Sequence, residues 1–279
     1  MRARAWRFAK VAVAVAVAIA TGCAGAAQEQ QPSLESSHGT ILVDAWYNSQ
    51  TRVNAAGQKV LYHYKWDDTT ASGYSLFGEM WREAGVETET LTTEPTAAKL
   101  KGAQYYLIVS PDNPAKNPNP HFMNEQDAGV IADWVSQGGV LLMMENDPAN
   151  ADIDHFDLLA DRFGLHFNNV LVHHVVGDDF PAGRIDVGAT APFAHPHRIY
   201  MKDTCSLRLS GKAVPLILWK GDTLMAWTRF GRGMVVAVTD PWLYNEYTDG
   251  KKLPARYDQE AAGREFVRWV IEQRGAGRR

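Results

Sequence analysis

Apolar and polar positions alternate in blocks through the first half of the chain, and each block has the spacing of a strand or a helix. Continuous apolar runs predict buried strands over residues 41–43, 105–109 and 140–144. Apolar residues at helical spacing predict helices over residues 72–84 and 125–137, and glycine follows each of them. This order of strand, helix, strand, helix and strand predicts a parallel sheet with helices on both faces.

The second half of the chain continues the pattern less regularly. Residues 165–210 are expected to form an irregular insertion of short strands and loops. The whole of residues 39–274 is then expected to form one α/β domain, because no repeat or change of composition divides it. The further predicted elements are a helix over 156–163, strands over 215–219, 224–230 and 234–239 separated by glycine turns, and a closing amphipathic helix over 260–273.

Residues 1–27 have the pattern of a bacterial export signal. Four cationic residues precede ten small apolar residues, 11–20, and a Gly-Cys pair ends at Cys23. The apolar run is shorter than the roughly 20 residues that cross a bilayer. Two alternatives remain, which are lipidation at Cys23 and ordinary cleavage at the alanines that follow. Residues 28–38 are polar and predict a linker between the export signal and the folded part. Because of the export signal, we expect the folded part in the periplasm or lipid-anchored to the bacterial envelope.

Composition excludes several classes of protein. The chain is 46% hydrophobic and 22% charged, which is a globular balance. It has 28 basic and 32 acidic residues, for a net charge of −4, so we expect no nucleic-acid partner and no membrane contact except through a lipid anchor. Of the two cysteines, only Cys205 lies beyond the export signal, so no intramolecular disulfide is expected.

Four of the predicted strands are followed by an acidic residue. In an open parallel sheet, ligands bind beyond the carboxyl ends of the strands. We therefore predict catalytic roles for Glu145 and Asp240 as an acid/base pair, with Asp44 and Asp112 in reserve. Glu145 is the strongest candidate, because glutamate is a poor helix cap. The alternative for each acid is that it caps a helix or closes a turn.

Aromatic, amide and charged residues cluster around these acids, and this mixture suits a sugar. A pyranose offers an apolar face to a ring and a rim of hydroxyls to polar side chains. The alternative is that the rings fill the seam between loops and sheet. The predicted substrate-binding residues are Trp46, Tyr47, Asn48, Lys65, Trp66, Asn146, Asp147, His173, His174, Asp178, Asp179, Trp242, Tyr244 and Asn245.

Other chemistries have little support in the sequence. His173, His174 and Asp178 are weak metal-ligand candidates, because no dedicated metal motif is present and adjacent residues on a strand point to opposite faces. There is no nucleophile elbow, no phosphate-binding loop and no dinucleotide fingerprint. We therefore expect no cofactor and no metal.

Five segments of the chain carry a resemblance to a known family, namely residues 110–112, 144–156, 173–180, 221–224 and 240–247. They resemble the uncharacterised domain fused to unsaturated rhamnogalacturonyl hydrolases of glycoside hydrolase family 105. The resemblance implies a class I glutamine amidotransferase-like fold, which is a flavodoxin-like, doubly wound and mainly parallel sheet. It also implies that Glu145 stands where an amidotransferase has its cysteine, so amidotransferase activity is not expected. The helical repeats of the family 105 catalytic module are absent from the sequence, and the resemblance implies only a context of pectin breakdown.

We therefore expect an exported carbohydrate-active protein of pectin or rhamnogalacturonan-type polysaccharide breakdown. The leading hypothesis is a glycoside hydrolase that acts on oligosaccharides through its strand-end carboxylates. The alternative is a non-catalytic sugar-binding or accessory module that partners polysaccharide hydrolases, such as those of family 105. A third possibility is a scaffold domain that assembles with such hydrolases.

Overall fold

The computed structural model describes residues 38–277. Its strands are β1 (Gly39–Asp44), β2 (Thr51–Val53), β3 (Lys59–Leu61), β4 (Val86–Leu91), β5 (Tyr105–Val109), β6 (Val140–Met144), β7 (Leu165–Asn168), β8 (Arg184–Val187), β9 (His197–Tyr200), β10 (Ser206–Leu209), β11 (Val214–Trp219), β12 (Asp222–Phe230) and β13 (Gly233–Val238). Its α-helices are α1 (Ser75–Glu83), α2 (Ala97–Leu100), α3 (Glu125–Ser136), α4 (Ile153–Ala160), α5 (Asn245–Thr248) and α6 (Gln259–Ala276), and a 3-10 turn (Asp161–Phe163) follows α4.

The predicted export signal, with Cys23, lies outside the described residues. So does the predicted linker, apart from His38. Among the helices that are described, none combines the length and apolar character needed to cross a membrane.

Nine strands form one mixed sheet in the order β4-β1-β5-β6-β13-β12-β10-β7, with β11 also paired to β12. The four pairs between β4 and β13 are parallel. The pairs of β12 with β13, β10 and β11, and the pair of β10 with β7, are antiparallel. Two further antiparallel pairs, β2-β3 and β8-β9, lie outside this sheet.

The prediction of a flavodoxin-like or glutamine amidotransferase-like, mainly parallel sheet is wrong. Half of the strand pairs in the large sheet are antiparallel, and two features of the chain explain why. The two-residue turn at Gly231 (φ 57°) returns the chain directly from β12 to β13, which makes these strands antiparallel neighbours. The region 165–210, predicted as an irregular insertion, also contributes β7 and β10 to the sheet.

Helices cover both faces of the sheet, and this explains its continuous apolar strands. Along β6, Leu142 and Met144 belong to a core with α1 and α6, whereas Leu141 and Met143 belong to a core with α3 and α4. All residues of β6 are buried, as expected for a strand with two covered faces. We refer to these two sides as the α1/α6 face and the α3/α4 face.

Asn245, a predicted substrate-binding residue, joins α5 to the loop before α1. Its Oδ1 accepts from the backbone N–H of Leu76 at 3.1 Å, in the first turn of α1, which has no side-chain cap of its own. Its Nδ2 donates to the carbonyl oxygen of Asp68 at 3.0 Å and to Ser75 Oγ at 2.9 Å. Asn245 therefore holds together two walls of the site described below, and its polar atoms are already occupied.

Candidate functional site

The four predicted catalytic acids are all buried, and at most 1% of any of them is exposed. Asp44 ends β1, and its Oδ1 accepts from the backbone N–H groups of Tyr47 at 2.8 Å and Asn48 at 3.2 Å. Its Oδ2 accepts from the Tyr106 hydroxyl at 2.7 Å. Burial raises the pKa of Asp44, and the hydrogen bond from Tyr106 opposes that rise. Asp44 thus closes the turn after β1.

Asp112 has a similar structural role beyond β5. Its Oδ2 accepts from the backbone N–H of Ser49 at 2.9 Å and from Asn117 Nδ2 at 2.8 Å. Its Oδ1 accepts from Gln50 Nε2 at 2.7 Å. Both carboxylate oxygens are occupied, so Asp112 fastens the loop after β1 to the loop after β5.

Lys65 and Asn48, two predicted substrate-binding residues, are buried beside these acids. Lys65 Nζ donates to Asn48 Oδ1 at 3.0 Å, and Asn48 Nδ2 donates to the carbonyl oxygen of Ser110 at 2.8 Å. Burial lowers the pKa of Lys65 to about 8, and attraction to Asp44 opposes the shift. Both side chains are satisfied by the protein itself and hold loops together.

Glu145 and Asp240, the predicted acid/base pair, lie on opposite faces of the sheet. Met144 and Val238 are register partners in β6 and β13, and both face the α1/α6 side. Among the charged groups that act on Glu145 are Asp157 and Asp152, on the α3/α4 side, whereas Lys202 and Asp203, at the other side, act on Asp240. The structure therefore does not bring these two carboxyl groups together.

The Glu145 carboxyl group is only half satisfied. Its Oε1 accepts from the backbone N–H of Asn146 at 2.9 Å, and its buried Oε2 has no hydrogen-bond partner within residues 38–277. Burial raises the pKa of Glu145 well above its usual value. Burial without a second hydrogen-bond donor therefore favours the neutral form of this carboxyl group.

A cavity of about 460 Å³ opens beyond the carboxyl ends of β6 and β13. We call it the strand-end cavity. Its volume lies in the range of small-molecule sites, roughly 300–1,000 Å³. Its lining comes from β2, the segment between β3 and α1, the loop after β6, the segment after β9 and the segment around α5. The lining residues are Arg52, Tyr62, His63, Tyr64, Thr70, Ala71, Ser72, Asn146, Asn150, Lys202, Asp203, Tyr244 and Glu246.

Rings and amides form one part of this lining. The ring centroids of Tyr64 and Tyr244 are 5.7 Å apart, and Asn146 Nδ2 donates to the Tyr244 hydroxyl at 3.5 Å. The rings of Tyr62 and His63 are 4.0 Å apart. Burial lowers the pKa of His63 to about 4, so this imidazole is neutral at pH 7. Its buried Nδ1 has no partner in the described part of the chain.

Asp240 lies next to this lining. Its Oδ2 accepts from the backbone N–H of Lys202 at 2.8 Å, and its buried Oδ1 is without a partner among the residues described. Burial raises the pKa of Asp240 to about 8. Burial and the nearby Asp240 carboxyl together raise the pKa of Tyr64 to about 12. Asp240 is thus a neutral acid beside the cavity at pH 7.

Backbone strain is concentrated at the cavity. Three lining residues have left-handed backbone conformations, which residues other than glycine rarely adopt. They are His63 (φ 59°), Tyr64 (φ 50°) and Asp203 (φ 50°). Ser110, at the end of β5, has φ 44°. Such conformations cost about 1–3 kcal/mol each and cluster at functional sites. This strain is an indication of function that does not depend on the predicted acids.

Two charged lining residues are fixed by partners outside the cavity. Arg52 Nη2 lies 3.0 Å from Asp68 Oδ1. Asp203 Oδ1 lies 2.7 Å from His174 Nδ1 and also accepts from the backbone N–H of Val175 at 3.1 Å. These contacts hold a cation and an anion at the rim of the same cavity.

Of the fourteen predicted substrate-binding residues, only Asn146 and Tyr244 line the strand-end cavity. Trp46 instead stacks on the ring of His121, with centroids 3.5 Å apart. The Tyr47 hydroxyl donates to Asp127 Oδ2 at 2.7 Å, inside the α3/α4 core.

Two more predicted substrate-binding rings also serve packing. Trp66 Nε1 donates to the carbonyl oxygen of Glu89 at 2.9 Å, and Trp242 is completely buried. Asp147 Oδ1 accepts from the backbone N–H of Ala149 and closes a turn. These residues fill the seam between loops and sheet, which is the alternative stated for the aromatic clusters.

The structure does not gather the weak metal candidates, which also belong to the predicted substrate-binding set. His173 is buried with its ring centroid 4.1 Å from that of Trp219, whereas His174 is exposed and pairs with Asp203. Asp178 lies 3.6 Å from Lys252 Nζ. Asp179, which was predicted to bind substrate, accepts a hydrogen bond from the backbone N–H of Ala182.

A different group could hold a cation, namely Asp157, Asp161 and His166. His166 Nδ1 lies 2.9 Å from Asp161 Oδ1 and 3.3 Å from Asp157 Oδ2. The close contacts of the imidazole with the two carboxylates account for this arrangement.

Sequence reasoning missed most of the charged cavity residues. The rings of residues 62–64 belong to an aromatic cluster in the sequence that continues through Lys65 and Trp66. Arg52, Lys202 and Asp203 gave no signal in the sequence. Arg52 lies in a short hairpin strand. Lys202 and Asp203 lie outside any regular element, and Asp203 has a left-handed backbone conformation.

Comparison with known proteins gives a fold but no family, since neither a family model nor a curated protein matches the chain. The N-terminal domain of mmIFT52 is similar with a TM-score of 0.58 at 14% identity, over 85% of this chain and 97% of that one. Cytoplasmic Protein STM1381 from Salmonella typhimurium LT2 has a TM-score of 0.50 at 12% identity, over 85% and 98%.

Structural neighbours also include glycoside hydrolases. A beta-galactosidase from Rahnella sp. R3 has a TM-score of 0.52 at 12% identity, over 84% of this chain and 31% of the galactosidase. The chain therefore corresponds to about a third of that enzyme's length. At these identities the similarity shows a shared fold.

Proposed function

We propose that this protein binds a carbohydrate in the strand-end cavity. The observation that carries the proposal is one cavity lined by the rings of Tyr64 and Tyr244, the amide of Asn146 and charged groups such as Lys202. Rings suit the apolar faces of a pyranose, and amide and charged groups suit its hydroxyls. Backbone strain at His63 and Tyr64 supports a functional role for the same cavity.

A non-catalytic sugar-binding or accessory module explains the site better than a glycoside hydrolase built on the predicted acids. Asp44 and Asp112 have both oxygens occupied by hydrogen bonds from the protein. Glu145 faces the opposite side of the sheet from Asp240. A general acid/base pair must reach the same glycosidic bond, which these four residues do not do.

The finer proposal is that the ligand is an oligosaccharide of the pectin or rhamnogalacturonan type. Lys202 supports it, because its ammonium group belongs to the cavity lining and suits an acidic sugar. The resemblance of the sequence to a domain fused to family 105 hydrolases supports the same context. We accordingly propose that the protein is exported through residues 1–27 and acts beside such hydrolases.

The test is calorimetric titration of the full chain with pectic oligosaccharides and with neutral plant oligosaccharides. We expect the variants Tyr62→Ala and Asn146→Ala to weaken binding about fivefold or more, because stacking of a sugar on a ring and a hydrogen bond each contribute on the order of 1 kcal/mol. Phe122→Ala is the matched control, since it removes an exposed ring that stacks on His155 outside the cavity. Absence of binding to every sugar, or equal binding by all three variants, would refute the proposal.

A second candidate is hydrolysis of the bound sugar, and one observation favours it. Asp203 and Glu246 both place carboxylates at the lining of the strand-end cavity. If they form a catalytic pair, Asp203→Asn and Glu246→Gln abolish the release of reducing ends while sugar binding persists. Binding without any product over days would leave the non-catalytic function.

A further inference from the structure

Residues 170–176 lie outside any regular element and are fastened to the rim of the strand-end cavity at Asp203. Asp203 lines the cavity with a left-handed backbone conformation (φ 50°). Its backbone N–H donates to the carbonyl oxygen of His173 at 2.6 Å. Its Oδ1 lies 2.7 Å from His174 Nδ1 and accepts from the backbone N–H of Val175 at 3.1 Å. Three consecutive residues of this segment therefore hold one rim residue in place.

Apart from these contacts, much of the 170–176 segment is in solvent. Val170 and Leu171 are exposed, and Val176 is 74% exposed. Segments with few buried contacts open locally at a lower free energy than the core. Opening also frees Asp203 from the hydrogen bonds that support its left-handed backbone. The state of the segment therefore depends on its few buried side chains, of which His173 is one.

His173 is only 1% exposed. Its ring packs edge-on against Trp219, with the ring centroids 4.1 Å apart. Its buried Nε2 has no hydrogen-bond partner within residues 38–277. A proton on this nitrogen would create a buried cation whose new N–H finds no acceptor, which is unfavourable. The closed segment therefore accommodates a neutral imidazole at this position.

The groups around His173 come from three elements. Burial lowers the pKa of His173, and the Lys220 ammonium, at the turn between β11 and β12, lowers it further. The carbonyl groups of Gly183 and Met201 and the carboxylate of Asp203 oppose this shift. Lys220 Nζ is itself held 4.2 Å from the centre of the Trp219 ring. Further charged or titratable residues on these elements and on the chain near His173 include His174, Asp178, Arg184, Asp186, Lys202 and Asp222.

We propose that the 170–176 segment is a pH-sensitive latch on the strand-end cavity, and that protonation of His173 releases it from Asp203. The released state takes up the proton that the closed state excludes. His173 therefore stabilises the closed latch above the ordinary pKa of 6.5, and this contribution is lost as pH falls below that value. Weaker ligand binding in acid follows from the lost rim, and this consequence alone rests on the proposed function.

Hydrogen exchange of the 15N-labelled full chain, measured by NMR between pH 7 and pH 5 and corrected for the intrinsic exchange rates, tests the release directly. The backbone amide of Asp203 is bonded to His173 itself, so its protection should fall about tenfold for each unit of pH below about 6. The amide of Thr239, bonded to the carbonyl oxygen of Leu224 at 2.9 Å, should keep its protection. Equal pH dependence at the two amides, or none at Asp203, would overturn the latch.

The variant His173→Phe keeps a ring against Trp219 and cannot take up a proton. We expect the protection of the Asp203 amide to become independent of pH in this variant. His121→Phe is the matched control, because it also replaces an imidazole that packs on a tryptophan, with its ring 3.5 Å from that of Trp46. It should retain the wild-type pH dependence.

His174 needs a separate variant because it contacts Asp203 directly. We expect His174→Gln to keep the pH dependence, and its loss there but not in His173→Phe would overturn the assignment to His173. If His173→Phe does not fold, the imidazole resonances of the wild-type chain decide. Titration of His173 without loss of protection at Asp203 would then overturn the proposal.

Calorimetric titration with a galacturonate trisaccharide tests the consequence for binding. We expect the affinity of the wild-type chain to be severalfold weaker at pH 5 than at pH 7, and that of His173→Phe to be the same at both. Equal wild-type affinities would overturn the control of binding by the latch. If the trisaccharide binds at neither pH, the proposed function fails, whereas the exchange measurement still decides whether the latch exists.

Discussion

Two pairs of strand-end acids look alike in the sequence and differ in the folded protein. Asp44 and Asp112 accept hydrogen bonds on both carboxylate oxygens. Glu145 and Asp240 are equally buried, but each accepts on one oxygen and leaves the other without a partner among residues 38–277. The first pair fastens loops, whereas burial raises the pKa of both acids of the second pair.

The difference between the pairs comes from the chain that follows each strand. After β1 and β5 the chain turns back over the strand end, so that backbone N–H groups and amide side chains meet the carboxylates. After β6 and β13 each acid meets a single backbone N–H. A buried carboxyl group with few donors is more stable when protonated. An acid at a strand end therefore predicts a location but not a role.

The largest effect should come from Asp44→Ala. This change removes an acceptor from the N–H groups of Tyr47 and Asn48 and from the Tyr106 hydroxyl, all within a buried turn. We expect the free energy of unfolding to fall by about 3–5 kcal/mol, since several buried donors lose their partner. Urea denaturation of the full chain measures it. A loss below about 1 kcal/mol would mean that the turn does not depend on Asp44.

Asp240→Asn should change how stability depends on pH. The pKa of Asp240 is raised by burial to about 8 in the folded state, above the usual value of 3.8. Between these values the folded protein binds more protons than the unfolded chain, so the wild-type stability falls as pH rises from about 4 to 8. The variant cannot titrate there, and its unfolding free energy relative to wild type should rise by about 1–3 kcal/mol between pH 5 and pH 8. Parallel curves for the two proteins would contradict a neutral Asp240.

Asp112→Asn should be moderately destabilising. Both oxygens of Asp112 face N–H donors, from Ser49 and Asn117 on one side and from Gln50 on the other. An amide in either orientation places N–H groups against some of these donors. We expect a loss of about 1–2 kcal/mol in denaturant unfolding. No loss would show that Gln50 or Asn117 turns its amide to compensate.

Much of the sheet centre could be predicted, because burial on two faces leaves a clear pattern. The predicted strands at residues 105–109 and 140–144 have the observed bounds of β5 and β6, and the predicted helix at 125–137 differs from α3 by one residue. The edge strand β4 was missed, because its sequence VETETL exposes most of its polar residues and lacks an apolar run. In the antiparallel half, the predicted strands at 215–219, 224–230 and 234–239 correspond to β11, β12 and β13, whereas β7 and β10 were missed because they are four residues each.

The site was less predictable than the sheet. The strand-end rule indicated the correct edge of the sheet, since Asn146 and Tyr244 line the cavity there. It could not show that Glu145 and Asp240 face opposite sides, because that depends on the register between β6 and β13. Nor could it show His63 and Tyr64 in left-handed conformations, which tertiary contacts impose against local preference.

The smallest effect should come from Glu145→Gln, and it forms a pair with Asp112→Asn because both replace a buried carboxyl by an amide. Burial raises the pKa of Glu145 well above its usual value and so favours its neutral form. Glutamine keeps an oxygen for the N–H of Asn146, so we expect the free energy of unfolding to change by less than about 0.5 kcal/mol. Sugar affinity should also be unchanged, because Glu145 faces away from the strand-end cavity. A loss as large as that of Asp112→Asn would show that Glu145 is ionised and that the two pairs of acids are alike after all.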